Sequence, residues 1–441
     1  MELLGLLGTS FACDCGREHH VPVRRFLYEA GAVDTLPEIV RQSDGRAHRT
    51  VVVADERTWN VCGRQAAEVL KKAGGEVGQV IVPDQRNSGP VCDDVTVRPL
   101  VEQLRGMHTD LVVAVGSGVI NDLCKWASFQ LGVPYLVVAT AASMNGYSSA
   151  NVAPTVAGVK LLIEAQPPVA VLAEPAVIEQ APREMTAAGF GDTIAKHQSN
   201  TDWVVNRLLL DEYYCKFCAS IAAGIEPLYL DHPEDIRDGR REAIRGLFEA
   251  LFWTGMAMTL VGTSAPASGG EHLLSHTLDM MAQVRGERHD LHGRQVGIGT
   301  LFSAALYQRV LATDTPALQS LPPAVDERFW SVPSVAKAVA EQYALKQPRL
   351  ESIRHKLAQR EVWDQLRAAI AAQVKRPETI QSWLRRAGAA VTSADIGCSR
   401  ERIKSAILHM HEIRKRFSIV DLVWLTGILP GQADAMIDEW L

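Results

Sequence analysis

Leu111-Val-Val-Ala-Val-Gly-Ser-Gly-Val-Ile-Asn-Asp-Leu-Cys-Lys125 is the stretch that decides the fold. An unbroken apolar, β-rich run stops at Gly116-Ser-Gly118, and a helical pattern follows whose apolar face is formed by Val119, Ile120, Leu123 and Ala127. Small residues in such a strand–turn–helix unit let a ligand approach the backbone. The free N–H groups at the helix start favour an anion, so a diphosphate is the expected guest. The spacing is not GxGxxG, so a packing role for the glycines stays equally open.

The composition is that of an ordinary soluble protein. A length of 441 residues suggests two or three domains. Lys and Arg number 45 against 51 Asp and Glu, a net charge of −6, with no long block of one sign. This balance argues against a nucleic-acid interface and a polybasic membrane patch. We find no apolar segment of membrane-spanning length and no convincing signal peptide, so we expect a cytoplasmic protein.

The eight cysteines do not suggest a disulfide framework in a chain of this size. Cys13-Asp-Cys15, followed by His19 and His20, and Cys215-Lys-Phe-Cys218 each contain metal-ligand types. Neither has a second pair at zinc-site spacing. We therefore expect reduced, structural thiols.

Strand and helix patterns alternate through the first part of the chain. Buried strand patterns at residues 50–54, 78–82, 111–115, 134–139 and 169–175 are separated by helical ones. Such alternation predicts a parallel sheet with helices on both faces. From about residue 182 only helical patterns continue, and the apolar run 250–261 suggests a core helix of that second part. The sequence predicts an α/β domain over residues 1–181 and a helical domain over residues 182–441.

Polar or glycine residues follow three predicted strands, at the edge where ligands bind in parallel sheets. Asp55 ends one strand and is suited to accept hydrogen bonds from adenosine ribose hydroxyls and to repel a 2′-phosphate. Equally, it is suited to cap the helix that starts at Glu56. The loop from Thr140 to Ser149 is rich in hydroxyls and small residues, which suits contacts to phosphate, ribose or a nicotinamide amide.

Metal-ligand residue types recur in the helical half. Asp192 follows a glycine pair at a helix start, and His272 and His276 are four residues apart, hence on one helical face. His292 precedes another small-residue helix. One carboxylate and two imidazoles with an open position are typical of a catalytic divalent-metal site. Taken singly, Asp192 is better explained as a helix cap and each histidine as a residue with no ligand role; as a set, the metal site and these explanations have about equal weight.

Taken in order, these motifs resemble the iron-containing alcohol dehydrogenase superfamily and, within it, the bacterial branch of the sn-glycerol-1-phosphate dehydrogenases. The resemblance covers about residues 10 to 310, with motifs at Asp55, Gly116–Lys125, Thr140-Ala-Ala-Ser143, Gly191-Asp192, Ser268-Gly-Gly-Glu-His272 and His292-Gly293. It implies a Rossmann-like dinucleotide-binding domain followed by an all-α domain, the dehydroquinate synthase-like architecture. The implied reaction is reversible reduction of dihydroxyacetone phosphate to sn-glycerol 1-phosphate by a homo-oligomer.

The resemblance also implies a role for each matching residue. The metal, which is zinc, nickel or iron depending on the member, would be held by Asp192, His272 and His292. Asp192 and His276 would serve catalysis and substrate binding. Cofactor contacts would come from Asp55, Gly116, Ser117, Gly118, Val119, Ile120, Thr140, Ser143 and Ser149. Asp55 favours NAD(H) over NADP(H).

One residue departs from the family pattern. Asn145 stands where the family usually has an aspartate that contacts substrate; asparagine keeps an acceptor but loses the charge and gains a donor. A different polyol or polyol phosphate is therefore an alternative substrate. Candidate cations for a substrate phosphate are Lys125, Lys196 and His197. A dehydroquinate-synthase-like cyclase or lyase and a non-catalytic relative are less favoured, because the sequence shows no larger basic set and the ligand set is intact.

Overall fold

An all-parallel six-stranded sheet organises the N-terminal half of the chain. In chain order its strands are β1 (Arg25–Tyr28), β2 (Arg49–Ala54), β3 (Glu76–Ile81), β4 (Leu111–Gly116), β5 (Tyr135–Ala139) and β6 (Ala170–Ala173). They lie in the order β1-β6-β5-β4-β2-β3. Every residue of β4 is buried, which explains its unbroken apolar run. The sheet, its helices and the helical remainder confirm the predicted fold class.

This computed structural model describes residues 3–44, 49–85, 89–287 and 289–441. By contacts the chain forms two units. Unit 1 comprises Met1–Val156, Leu161–Gly189 and Gly224–Gly262, and unit 2 comprises Ala157–Lys160, Phe190–Ala223 and Thr263–Leu441. The division into domains at residues 181 and 182 stays a prediction. None of the eight cysteines, all of which lie in the described part of the chain, forms a disulfide.

Helices pack on the sheet of unit 1 through apolar side chains. One core cluster joins Val52, Val113, Leu136 and Leu172 of four sheet strands with Leu70 of a covering helix. The helices before Lys196 are Leu36–Asp44, Glu56–Thr58, Arg64–Lys72, Asp94–Gly106, Gly118–Leu131, Pro175–Glu179 and Arg183–Ile194, with short 3-10 or π segments at Leu3–Leu6, Ala32–Thr35, Trp59–Gly63 and Gly146–Ser148. Short strands lie at Ser10–Ala12, Glu18–His20, Asn151–Val152, Thr155–Val156, Val159–Lys160 and Ile163–Glu164.

The long apolar helix Arg241–Val261 belongs to unit 1 and not to the helical remainder where we expect it. The Phe252 ring lies 4.4 Å from that of Phe26, centroid to centroid, so the helix packs beside β1. Its length and composition would suit a membrane span, but 83% of its most apolar window is buried inside the protein. The helix is therefore explained as a core helix.

Helices make up most of the chain from Lys196 onward, and the three that lie within Gly224–Gly262 belong to unit 1. The helices from Lys196 onward are Lys196–Leu210, Lys216–Ile225, Pro227–Leu230, Pro233–Arg237, Arg241–Val261, Gly270–Arg285, His292–Ala312, Pro333–Leu357, Arg360–Ala371, Pro377–Arg386, Arg400–His409, Ile419–Leu425 and Ala433–Trp440, with a 3-10 turn at Ala394–Ile396. Of these, Gly270–Arg285 and His292–Ala312 pack closely against each other. They carry the histidines singled out from the sequence.

Candidate active site

The three predicted metal ligands converge within unit 2. Asp192, His272 and His292 come from three different helices, and their ligand atoms all lie within 4.8 Å of one another. Asp192 Oδ1 is 3.6 Å from His272 Nε2, and the ring centroids of His272 and His292 are 5.3 Å apart. Asp192 and His272 are buried, whereas His292 is half-buried. Folding thus gathers one carboxylate and two imidazoles, the donor set of a catalytic metal site.

Glycines let the three helices approach closely enough for this convergence. A Cβ atom on Gly191 would overlap the backbone oxygen of Gly293, and one on Gly299 would overlap the backbone oxygen of Glu271. Any side chain at Gly191 or Gly299 would therefore push apart helices that carry the metal-ligand residues. Close packing of the helices therefore explains why glycines accompany the metal-ligand residue types in the sequence.

Each imidazole of the set is oriented through its other ring nitrogen. His272 Nδ1 donates to Glu271 Oε1 at 2.8 Å, and that oxygen also accepts the N–H of Gly269 at 2.7 Å. His292 Nδ1 donates to Ser275 Oγ at 3.0 Å, because the Ser275 hydroxyl itself donates to Gln295 Oε1 at 2.8 Å. Both histidines therefore keep the Nε2 lone pair for a ligand.

These orienting residues were not among those predicted. Glu271 stands beside His272 in the quoted motif, and that adjacency was the available signal. Ser275 and Gln295 lie three residues from His272 and His292 respectively, on the same helices. Only the helix packing shows that they meet.

The charge states of the set suit metal binding. Burial raises the pKa of Asp192, but the ammonium of Lys196 and the two histidines outweigh burial and hold that pKa well below its usual range. Lys196 Nζ lies 2.9 Å from Asp192 Oδ1, and both side chains are almost fully buried. Burial, followed by His272, lowers the pKa of His292 to about 3. Near neutral pH the site therefore offers a carboxylate and a neutral His292 imidazole.

His276 lies one turn beyond His272. Its ring centroid is 6.0 Å from that of His272 and 5.5 Å from that of His292. Nδ1 of His276 is buried and has no hydrogen-bond partner among the described residues. Burial, and then Arg414, lowers the pKa of His276 well below its usual value, so the ring is neutral. A neutral imidazole with an unused nitrogen is available to a ligand.

A second trio meets the same distance criterion. His276, Asp279 and His292 also place their ligand atoms within 4.8 Å of one another. Asp279 Oδ1, however, is 3.2 Å from Nδ1 of His289. The trio of Asp192, His272 and His292 is better prepared to bind a metal ion, because both of its histidines have orienting partners.

The cations predicted for a substrate phosphate are engaged elsewhere. Lys125 is fully buried in unit 1, where its Nζ donates to Gly146 O at 2.6 Å and to Ser149 Oγ at 3.0 Å. Lys196 donates to Asp192 and to the backbone oxygen of Ala267. His197 is buried, and burial lowers its pKa to about 3, so it carries no charge near neutral pH. The structure does not support a phosphate role for these three residues.

In unit 1 the two glycines of the turn, Gly116 and Gly118, have different surroundings. A Cβ atom on Gly116 would lie 2.6 Å from the Cβ of the buried Ile120, so Gly116 is needed for packing. A Cβ atom on Gly118 would meet only the Met144 side chain, at 3.4 Å. Ser117 makes no side-chain cap to the helix Gly118–Leu131, and its hydroxyl lies 2.6 Å from that of Ser143. The N–H groups at the helix start are left for a ligand.

Asp55 caps the next helix, as one of its two interpretations predicts. Its Oδ1 accepts the N–H of Thr58 at 2.8 Å, and its own N–H donates to the Thr58 hydroxyl at 3.0 Å. Asp55 Oδ2 accepts from Arg57 Nη2 at 3.3 Å. The ribose contact stays a prediction.

The remaining predicted residues of unit 1 follow β4 and β5. Thr140, Ser143, Asn145 and Ser149 are buried in the loop after β5, whereas Val119 is exposed. A Cβ atom on Gly255 would overlap the backbone oxygen of Asn145, so the helix Arg241–Val261 holds this loop closely. Their contacts with cofactor or substrate stay predictions.

The chain is similar to known dehydrogenases over nearly its whole length. A family model described as iron-containing alcohol dehydrogenase matches residues 27–182. The "Glycerol-1-phosphate dehydrogenase [NAD(P)+]" of Geobacillus stearothermophilus is 30% identical over 410 residues, 92% of this chain and 94% of that protein. The protein of the same name from Halalkalibacterium halodurans is 31% identical over 409 residues, again 92% of this chain and 94% of that protein.

Solved structures show the same fold. Glycerol dehydrogenase from Schizosaccharomyces pombe has a TM-score of 0.62 and 14% identity, covering 95% of this chain and 91% of its own. Sulfoacetaldehyde reductase from Bifidobacterium kashiwanohense, solved with NAD+, has a TM-score of 0.60 and 16% identity, covering 95% of this chain and 96% of its own. At these identities the likeness is one of fold alone.

Proposed function

The chain belongs to the glycerol-1-phosphate dehydrogenase family of the iron-containing alcohol dehydrogenases and is an enzyme; on this premise we propose that it reduces dihydroxyacetone phosphate reversibly to sn-glycerol 1-phosphate. The proposal includes one divalent metal and NAD(P)(H), with NAD(H) preferred. The observation that carries it is the convergence of Asp192, His272 and His292 with both imidazoles oriented through Nδ1. Relatives bearing that enzyme name match along almost their whole length.

The residues present fit a divalent cation. Asp192 offers a carboxylate, and His272 and His292 would present Nε2, a donor set that suits zinc, nickel or iron. When bound, the metal would polarise the substrate carbonyl and the nicotinamide would supply or accept the hydride. Lys196 sets the charge of Asp192 and, through its bond to Ala267 O, fixes the orientation of that carboxylate.

We propose that His276 exchanges a proton with the substrate hydroxyl. Its buried Nδ1 has no partner among the described residues, and its ring is neutral. In the oxidation direction this nitrogen can accept the hydroxyl proton, and in the reduction direction it can return one. Its place on the helix that carries His272 fixes the ring relative to the metal ligands.

The residues of unit 1 fit a dinucleotide. The uncapped N-terminus of helix Gly118–Leu131 would hold the diphosphate with backbone N–H groups, and Gly118 leaves room for it. Asp55 would accept from the adenosine ribose, which favours NAD(H). Arg57 is half-exposed beside Asp55, and a nearby arginine is suited to a 2′-phosphate, so NADP(H) is expected to be used less well but not excluded.

Asn145 favours one second candidate, a different polyol or polyol phosphate as substrate. An amide in place of the family carboxylate changes both charge and donor pattern. The cytoplasmic location and the homo-oligomeric state also remain proposals, supported by the resemblance.

Turnover measured before and after metal removal tests the proposal. The purified enzyme is treated with a chelator and assayed with NADH and dihydroxyacetone phosphate, with and without added zinc, nickel or ferrous ion. We expect NADH oxidation that depends on metal and a product with sn-1 stereochemistry. Full activity after verified metal removal contradicts the metal site. Turnover of other carbonyl substrates but not of dihydroxyacetone phosphate favours the second candidate.

A further inference from the structure

One lysine of unit 2 lies on a strand that packs against the histidine-bearing helix. Lys160 ends the short strand Val159–Lys160, which packs against helix Gly270–Arg285, the helix of His272 and His276. The Lys160 side chain is half-buried and makes no hydrogen bond or ion pair with any described residue. Lys160 is therefore a cation of unit 2 whose charge is not neutralised by any described side chain.

An arginine lies against the start of the same helix. Arg414 is half-buried, and its Nη1 donates to the hydroxyl of Ser268 at 3.0 Å. Ser268 immediately precedes Gly269, so this bond fixes the guanidinium at the beginning of the histidine-bearing helix. Nε and Nη2 of Arg414 have no acceptor among the described residues. A guanidinium held through one nitrogen with others unused can donate two parallel N–H bonds to two oxygens of an anion such as phosphate.

Both charges act on the candidate site. After burial, Arg414 contributes most to lowering the pKa of His276, and Lys160 contributes to lowering the pKa of both His276 and His292. Their influence on these rings agrees with the contacts that place both cations beside the helix Gly270–Arg285.

The neighbouring carboxylates form their hydrogen bonds with groups other than Lys160 and Arg414. Asp192 pairs with Lys196, and Glu271 Oε1 accepts from His272 and from Gly269. Asp202 accepts from the Tyr307 hydroxyl at 2.5 Å and from the N–H groups of Gly270 and Ile419, each at 2.6 Å. In the described part of the chain no carboxylate lies within ion-pair distance of Lys160 or Arg414. Neither cation therefore has a direct counter-ion among the described side chains.

We propose that Lys160 and Arg414 bind the phosphate group of the substrate, with Arg414 as a hydrogen-bonding fork and Lys160 as a point charge. The inference rests on the proposed function and deepens it, because it assigns recognition of a phosphomonoester to residues outside the family motifs quoted above. These two side chains take the role expected from the sequence for Lys125, Lys196 and His197. They also separate phosphorylated from unphosphorylated polyols, the distinction that Asn145 leaves open.

Charge-removing variants test this assignment. Lys160→Met and Arg414→Met are compared with Lys415→Met, a matched change at the exposed residue beside Arg414. For the metal-loaded full chain we expect the KM for dihydroxyacetone phosphate to rise about 10- to 100-fold in the first two variants, the usual cost of one charged hydrogen-bond partner. The KM for dihydroxyacetone should rise far less. Arg414→Lys, which keeps the charge, should recover part of the loss.

A binding measurement separates this inference from the proposed function. Inorganic phosphate is titrated calorimetrically into each protein; its affinity should fall in Lys160→Met and Arg414→Met but not in Lys415→Met. Equal phosphate affinity and equal KM in all proteins overturn the inference even if the enzyme reduces dihydroxyacetone phosphate. If the wild type fails to reduce that substrate but phosphate affinity still falls in the two variants, the proposed function fails and the anion site stands. Metal content and melting temperature show whether each variant is folded.

Discussion

Replacing Glu271 by glutamine is expected to weaken metal binding without removing a metal ligand. Glu271 is fully buried, and its Oε1 accepts two hydrogen bonds, from His272 Nδ1 at 2.8 Å and from the N–H of Gly269 at 2.7 Å. Glutamine has nearly the same shape, so the packing is preserved. It has no negative charge, however, and so holds the donor on His272 less firmly.

The size of the effect follows from these contacts. Only one of the two hydrogen bonds involves a metal ligand, and loss of such an orienting partner typically costs 10- to 100-fold in metal affinity, or about 1.4 to 2.7 kcal/mol. The hydrogen bond from Gly269 holds the start of the helix Gly270–Arg285, so weakening it should lower the free energy of unfolding by about 1 kcal/mol. We therefore expect weaker metal binding accompanied by a modest fall in melting temperature.

Competition between the enzyme and a chelator of known zinc affinity measures this directly. Glu287→Gln is the matched control, because Glu287 is exposed and lies just after the same helix. Metal affinity within twofold of wild type in a folded Glu271→Gln protein would refute the idea that this carboxylate orients His272. A loss of metal affinity in both variants would show that the effect is not specific to the site.

Three further predictions test other parts of the molecule. His292→Ala should abolish metal binding and turnover, whereas NADH binding, measured by fluorescence, should persist. The control is His355→Ala, because His355 is exposed on helix Pro333–Leu357. Turnover retained in His292→Ala would show that His292 is not a metal ligand. Asp55→Ser should raise the ratio of kcat/KM for NADPH to that for NADH about 10-fold, the scale of one charged contact, whereas an unchanged ratio leaves Asp55 as a helix cap alone. Burial, then Glu271, raises the pKa of Asp202 to about 7, so the folded chain holds a proton that the unfolded chain, with a pKa near 4, has lost. The stability that this extra proton provides is present at low pH and disappears as the pH rises through about 7. Between about pH 5 and pH 9 the melting temperature should therefore fall less in Asp202→Asn than in wild type. An equal fall in both proteins would contradict this role of Asp202.

The fold was predictable where one local pattern has one structural meaning. The apolar run of β4 is buried on both faces, and the glycine turn after it has few alternatives to a strand–helix connection. The helix Arg241–Val261 shows the limit. Its apolar surface indicates that the helix is buried but not which element it packs against. The ring contact with Phe26 that places it in unit 1 joins residues more than two hundred positions apart.

The candidate site was predictable to a similar degree. His272 and His276 were found because helical spacing places them on one face, and Asp192 and His292 because glycines accompany them. The partners that orient the imidazoles were not found, since Ser275 meets His292 only through the packing of two helices. Lys160 and Arg414 were beyond reach for the same reason: nothing local distinguishes them from the other lysines and arginines of the chain.

The ion pair between Lys196 and Asp192 has a consequence for how the protein matures. A carboxylate enclosed without any cation would oppose folding until a metal arrived, as happens in small domains that stay unfolded without zinc. Here the chain carries its own substitute charge, 2.9 Å away on the next helix. A newly synthesised molecule can thus complete its interior before the proposed metal binds.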